Sequence, residues 1–375
     1  MIASNGFVLR LTQWLAQWLG MALAAALMTG CAASMERGVL NFGINASPEA
    51  KRMTWPSREE GDVPRYVYAG ELTGEENFRE PQKKKTGTRA FLQWLAGLID
   101  NEAALVILQR PQSGIVDKDG RIFVTDTSRQ AVFVFDPNEG RLNVWEDAGD
   151  RRRFVSQTGI APGEEGDIYV ADAELGIVAR INHSGKSIGV IGRGELRRPV
   201  GLVFDASTRQ LYVADTHAHD IKVFDAEGRL LRTLGQHGEK PGEFNYPTYL
   251  ALAKGELYVA DTMNARVQVL DVETGHPKRI IGERGMNVGN LVRPKGVAVD
   301  DEGNVYVVES YYDRLLVFNK GGEFLMPIGG MGQGIGNFYL PSGVWIDAHN
   351  RVFVADMFNG RVSLFQFLGG GAEGE

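Results

Sequence analysis

From about residue 106 to 368, short apolar runs alternate with turns rich in Gly, Asp and Asn. Residues 199 to 247 show the pattern best: "GLVFD", "QLYVAD", "IKVFD" and "LLRTLG", separated by "ASTR", "THAH" and "AEGR". Such runs predict four β-strands joined by tight turns. The unit appears six times, each with a carboxylate where the second run ends: Asp126, Asp172, Asp215, Asp261, Glu309 and Asp356. Successive anchors lie about 43 to 48 residues apart, the period of propeller blades. Six positions after each anchor stands a β-branched residue or Leu: Val132, Val178, Ile221, Val267, Leu315 and Val362. A second marker, Pro followed closely by Gly, opens the units at Pro111, Pro199, Pro294 and Pro341. It is degenerate near Gly159 and at Pro247, where Leu250 stands near the expected glycine.

A four-stranded antiparallel sheet cannot bury both faces alone, whereas six around an axis bury one another and leave only short edges. The pattern therefore predicts an all-β, six-bladed β-propeller. Each anchor carboxylate is expected to accept N–H bonds from the turn that follows it. The last unit supplies three strands before the chain ends, and "RYVYAGELTGEENF" from Arg65 matches "LLRTLGQHGEKPGEF" from Leu230 in phase. Residues 65–71 are thus expected to pair with the unit around Asp356 and close the ring, with 369–375 a disordered tail.

The stretches "VADTMNARVQVLD" and "VADMFNGRVSLFQ" resemble the NHL repeat. The resemblance covers roughly residues 106 to 368 and implies a six-bladed propeller, a fold that serves both binding scaffolds and enzymes. The repeat's Asn-x-Arg element stands at Asn264/Arg266 and Asn359/Arg361, with Arg314 alone in unit five. Units one to three depart from it.

Ahead of the repeats, residues 1–30 carry one charge, Arg10, before an apolar run ending in "LMTGCAAS". This predicts a processed signal sequence. The segment resembles a bacterial lipobox, with Met28 where Leu is usual. That resemblance implies cleavage before Cys31, the one cysteine of the chain, and acylation of Cys31. No Asp follows Cys31, which favours the outer membrane over the inner. Residues 31–64 read as a lipidated, flexible tether to a propeller over 65–368. Removing Arg10 takes the formal charge from −7 to about −8, which argues against nucleic acid as a partner. Lipid on Cys31 makes the membrane one partner, and the propeller is expected to be monomeric.

Between the closing strand and the first repeat, an insert over 78–105 places Phe91, Trp94, Leu95, Leu98 and Ile99 at helical spacing behind Lys83, Lys84, Lys85 and Arg89. This amphipathic helix is expected to pack on the propeller, to dock a partner or cover the central opening, or to lie on a membrane surface.

In a four-stranded blade, the loops after strands two and four share a face with the start of strand one. His217, His219, Met263, Asn264, Tyr311, Tyr312, Phe358 and Asn359 fall there, as do Ser113, Val200, Tyr249, Lys295 and Ser342. This aromatic and polar mouth suits a protein or small-molecule ligand of the envelope. His217 and His219, with Asp215, Asp220 and His237 nearby, form an alternative metal site for Zn or Ca. The amidating lyases and gluconolactonase-like propellers are similar in architecture, which implies an axial metal held from several blades. Here the ring positions offer no matching His set. Glu309 with Tyr311 and Tyr312 offers an alternative acid/base site. The sequence therefore favours a non-enzymatic, envelope-anchored binding scaffold over a metal-dependent lyase or hydrolase.

Overall fold

The computed structural model describes residues 38–43, 50–57, 62–78 and 105–369. The lipobox expected at Cys31, and the helix expected to carry Phe91, Trp94, Leu95 and Leu98, lie outside these residues.

Six antiparallel sheets follow one another. Blade one comprises Pro111–Val116, Ile122–Asp126, Ala131–Asp136 and Arg141–Trp145. Blade two comprises Gln157–Pro162, Ile168–Asp172, Ile177–Ile181 and Ser187–Ile191. Blade three runs from Pro199–Asp205 to Leu230–Leu234, blade four from Pro247–Ala253 to Pro277–Ile281, and blade five from Pro294–Val299 to Phe324–Ile328. Second strands are buried end to end, as in Ile122–Asp126 and Val305–Glu309, because both their faces meet a neighbouring blade.

Blade six is composite. Val344–Ile346, Arg351–Asp356 and Arg361–Phe367 come from the end of the chain, and Tyr66–Leu72 adds the fourth strand in antiparallel register, Tyr66 opposite Phe367 and Leu72 opposite Val362. Six apolar clusters fill the six blade junctions. The closing strand contributes to two of them: Tyr66 and Tyr68 pack toward blade five, and Leu72 toward blade one. Each such burial contributes about 1.5–3 kcal/mol, so three together rival a typical domain's net stability. Polar bonds lock the same seam. Arg361 Nη1 donates to Glu71 at 3.1 Å while its Nε donates to Asp356 at 2.9 Å, and the Tyr66 and Tyr306 hydroxyls lie 2.9 Å apart.

The tether expected over 31–64 is corrected in its described parts. Thr54–Trp55 pairs with Tyr66 and Val67 as a fifth, outermost strand. Trp55 packs edge-on to Phe365, and the Asn41 amide donates to the Asn77 carbonyl at 2.7 Å. Ala50, Met53 and Trp55 are apolar but aperiodic, so the segment lacks a strand signature while still having surface to bury.

Candidate functional site

Each anchor carboxylate is fully buried. Asp126 and Asp172 bond the turn that follows them, as expected, but also reach back to the amides that lead into strand one of the same blade. Asp126 accepts from Gln109 and Arg110 at 2.5 and 2.9 Å, and Asp172 from Val155 at 2.7 Å. Asp215 accepts from Arg197 and Arg198, both at 2.8 Å. The anchor therefore ties the end of strand two to the start of strand one, and that sets the rim of the loop face. Glu309 does the same through Val292, Arg293 and Tyr311 at 2.8–3.0 Å. Burial pushes its carboxyl up and these backbone donors oppose the shift. Glu309 is a structural anchor enclosed in the blade, which removes the acid/base role with Tyr311 and Tyr312.

Asn264 and Asn359 are likewise drawn inward. The Asn264 amide donates to Asp261 and to the Gly238 carbonyl, both at 2.8 Å. Asn359 donates to Asp356 and Gly332 at 2.7 and 3.0 Å. Arg266 and Arg361 add bonds from the same anchors to the loops after strand four, at Lys240, Glu243, Gly334 and Asn337. The Asn-x-Arg element is a staple between two loops and presents no free ligand group. Gln157, unmarked in the sequence, is similar in effect. Standing where other units have Pro, it donates through Nε2 to the Asp126 and Ala131 carbonyls of the preceding blade.

The central channel shows why Tyr249 and Ser342 also leave the ligand set. Five blades place a small residue third in strand one or its equivalent: Ser113, Gly159, Gly201, Gly296 and Gly343. A Cβ on Gly201 would meet Thr248 O at 2.4 Å, and one on Gly343 would meet Gln112 O at 2.4 Å, so the neighbouring backbone excludes side chains there. Blade four instead has Tyr249 at this position, the residue before Leu250. Its ring crosses the channel and its hydroxyl donates to the Gln112 carbonyl of the opposite blade at 2.8 Å. Ser342 is fully buried and donates to the same carbonyl at 2.8 Å. Below this crossing lies a cavity of about 180 Å³ lined by first-strand residues such as Ile115, Leu202, Leu252, Val299 and Trp345. Among the described residues that line it, Ser113, Tyr249 and the Trp345 indole are the polar side chains, with no carboxylate or imidazole.

The histidines form a small stack at the outer rim. The His219 ring lies 4.3 Å from His237 and 4.5 Å from Tyr246, and His217 lies 6.0 Å from Tyr246. His219 Nδ1 accepts the Tyr246 N–H at 3.2 Å, which leaves the proton of the neutral ring on Nε2. As the His219 ring stands, Nε2 carries its proton and Nδ1 is engaged by Tyr246, so neither nitrogen offers a free lone pair to a metal. Among the described residues no three His, Cys, Asp or Glu side chains are placed to share a metal ion.

What remains open on this face is aromatic and cationic. Tyr311 is 58% exposed and stands edge-on to Tyr312 at 5.0 Å. Phe358 is 44% exposed and packs on Tyr339 at 5.5 Å, with the Arg110 guanidinium 5.1 Å above its ring. Lys295 is half-buried on strand one of blade five. Sequence reasoning placed His217, Tyr311, Tyr312, Phe358 and Lys295 on this rim, and missed Arg110, Arg293 and Tyr339. The signal for the two arginines was available: each stands directly before the proline that opens its blade.

Comparisons agree with this architecture. A family model described as a 6-bladed beta-propeller matches residues 290–373, and the NHL repeat model matches 196–224. The protein brain tumor of Drosophila melanogaster is 27% identical over 136 residues, 36% of this chain and 13% of that one. NHL repeat-containing protein 2 of Bos taurus is 28% identical over 155 residues, 32% of this chain and 21% of that one. The chain thus spans about a fifth or less of the length of these relatives. A gluconolactonase structure from Xanthomonas campestris superposes with a TM-score of 0.54 at 14% identity, over 70% of this chain and 89% of the other. The chain is a six-bladed β-propeller, with an NHL repeat matched at residues 196–224.

Proposed function

We propose that this protein is a lipid-anchored envelope protein whose propeller acts as a non-enzymatic binding scaffold, presenting its loop face to a partner. The observation that carries the reading is the Tyr249 crossing. The channel where an axial reaction centre would sit is spanned by a phenol bonded to the opposite blade and walled by aliphatic side chains. Of the groups sequence alone offers for catalysis, Glu309 and His219 are bonded into the scaffold. Exposed aromatic side chains on a rigid frame are the usual anchors of a protein interface. The lipobox at Cys31 supports the address.

A photocrosslinking amino acid placed at Tyr311 or Phe358, and at His349 on the opposite face, tests the reading in the native host. Discrete adducts from the first two positions and none from His349 are expected. Equal labelling from both faces, or none from the loop face, would remove it. The anchor has its own test: the Cys31→Ser chain should leave the membrane fraction and lose the lipid mass.

A further inference from the structure

The loop face is not chemically uniform around its rim. Blades five, six and one carry Arg293, Lys295, Tyr311, Tyr339, Phe358 and Arg110, joined by backbone and ring contacts. Leu340 N donates to Asp313 at 2.6 Å, Phe358 N to the Tyr339 carbonyl at 3.1 Å, and Gln112 Nε2 to Met357 Sδ at 2.9 Å. Among the described residues the anchor carboxylates of this sector do not face solvent, while Glu75 and Glu76 in the turn after the closing strand are half-buried and Glu283 ahead of blade five is exposed. Asp126, Glu309 and Asp356 are fully buried, and Asp313 nearly so. The side chains of Arg110, Arg293 and Lys295 make no hydrogen bond or ion pair with any described residue; only Arg110 has a further contact, over the Phe358 ring. Elsewhere on the molecule arginines such as Arg121, Arg180, Arg279 and Arg351 are paired with carboxylates. Burial and the neighbouring Arg293 push the Lys295 ammonium down, which marks a cation held without a counter-charge.

We propose that this sector binds an acidic, extended peptide segment of a partner protein, with its carboxylates on Arg293, Lys295 and Arg110 and its apolar side chains on Tyr311 and Phe358. This inference rests on the loop-face scaffold reading and gives it a partner chemistry. The cations lie on blades five and one, with Tyr339 and Phe358 of blade six between them, so a ligand engaging all three must cross a whole blade. A small carboxylate cannot do so, whereas an extended chain with side chains alternating in direction can. A few cations among aromatic rings suit a few carboxylates. A nucleic acid would call for a longer phosphate-tracking run of Lys and Arg. Guanidinium groups over rings and beside them provide both ion pairing and stacking surface.

Selecting a displayed random-peptide library on the full-length chain in mild detergent tests this. The expected product is a set rich in Asp and Glu beside aromatic or aliphatic residues. Its binding should weaken about tenfold or more in the Arg110→Ala/Arg293→Ala/Lys295→Ala chain, and weaken with added salt. The three side chains have no internal bonds, so the thermal midpoint of that variant should match the parent. Acidic peptides that bind parent and variant equally would overturn the proposal, as would a single-stranded oligonucleotide that binds more tightly with the same dependence. Neutral peptides lost in the Tyr311→Ala/Phe358→Ala chain, yet insensitive to the three cations, would overturn it while sparing the scaffold reading. Recovering no peptide that depends on either set would count against both.

Discussion

Blades four and five have the same strands in the same register and use their equivalent positions differently. In blade four the anchor Asp261 accepts from the Asn245 amide, Asn264, Arg266 and Gln268, all within 2.7–3.0 Å. In blade five Glu309 accepts only backbone amides, and Arg314 makes no bond through its side chain to a described residue. Blade four sends Tyr249 across the channel from the position where blade five has Gly296. After strand two, blade four turns Asn264 inward, and blade five has the half-buried Tyr312 at that position. Positions bonded into the scaffold in blade four, Tyr249 and Asn264, hold residues without such side-chain bonds in blade five, Gly296 and Tyr312. A repeat position therefore fixes where a side chain starts, and the neighbouring loop decides whether it is structure or surface.

The largest expected break in this comparison comes from the anchors. Asp261→Ala leaves the Arg266 guanidinium, only slightly exposed, without its carboxylate, and should cost about 3–5 kcal/mol. Glu309→Ala strands only backbone amides near the rim and should cost less, about 1–3 kcal/mol. Denaturant midpoints of the two variants decide it: equal losses would mean that blade five relies on its anchor as heavily as blade four.

The Tyr249 crossing sharpens the comparison next. Tyr249→Phe keeps the ring that fills the channel and removes only the bond to Gln112, so about 1 kcal/mol should be lost. Binding at the rim sector of blades five, six and one should be unchanged. If Tyr249→Phe altered peptide binding there, the channel and the rim would be coupled and the two blades would not be separate in role.

The repeat was legible because burying both faces of each second strand forces the same apolar pattern to recur six times. The closing strand was legible for the same reason, since Tyr66, Tyr68 and Leu72 keep the phase of a fourth strand. What escaped the sequence is non-local. The Asn264 and Arg266 bonds to Gly238 and Glu243 join loops more than twenty positions apart. Tyr249 was misplaced by one residue relative to the glycine register, because blade four has no glycine at the third position of strand one to mark it. Met53 and Trp55 join a sheet edge without any periodicity of their own. Of the candidate site, the exposed aromatics and Lys295 were read, whereas Arg110 and Arg293 were not, although a proline follows each. That an Arg is unpaired is a fact about its neighbours in space.

The smallest effect concerns blade three, where the rim is closed by its own rings. Burial first, then His237 and His217, push the His219 imidazole below its ordinary value, with Asp220 and Asp261 opposing. The folded chain therefore holds His219 neutral where the unfolded chain takes up a proton near its usual pKa of about 6.5. Stability from this site is present above that value and is lost as the pH falls through it toward the lower folded value. His219 sits at φ 61°, a conformation Asn tolerates, and an Asn side-chain oxygen can still accept the Tyr246 amide. The thermal midpoint of His219→Asn should then fall less than that of the parent between about pH 7.5 and 5.5. Parallel curves for the two proteins would show that the stack is as easily protonated folded as unfolded. In that case the ring-on-ring contact with His237 would not exclude the second charge.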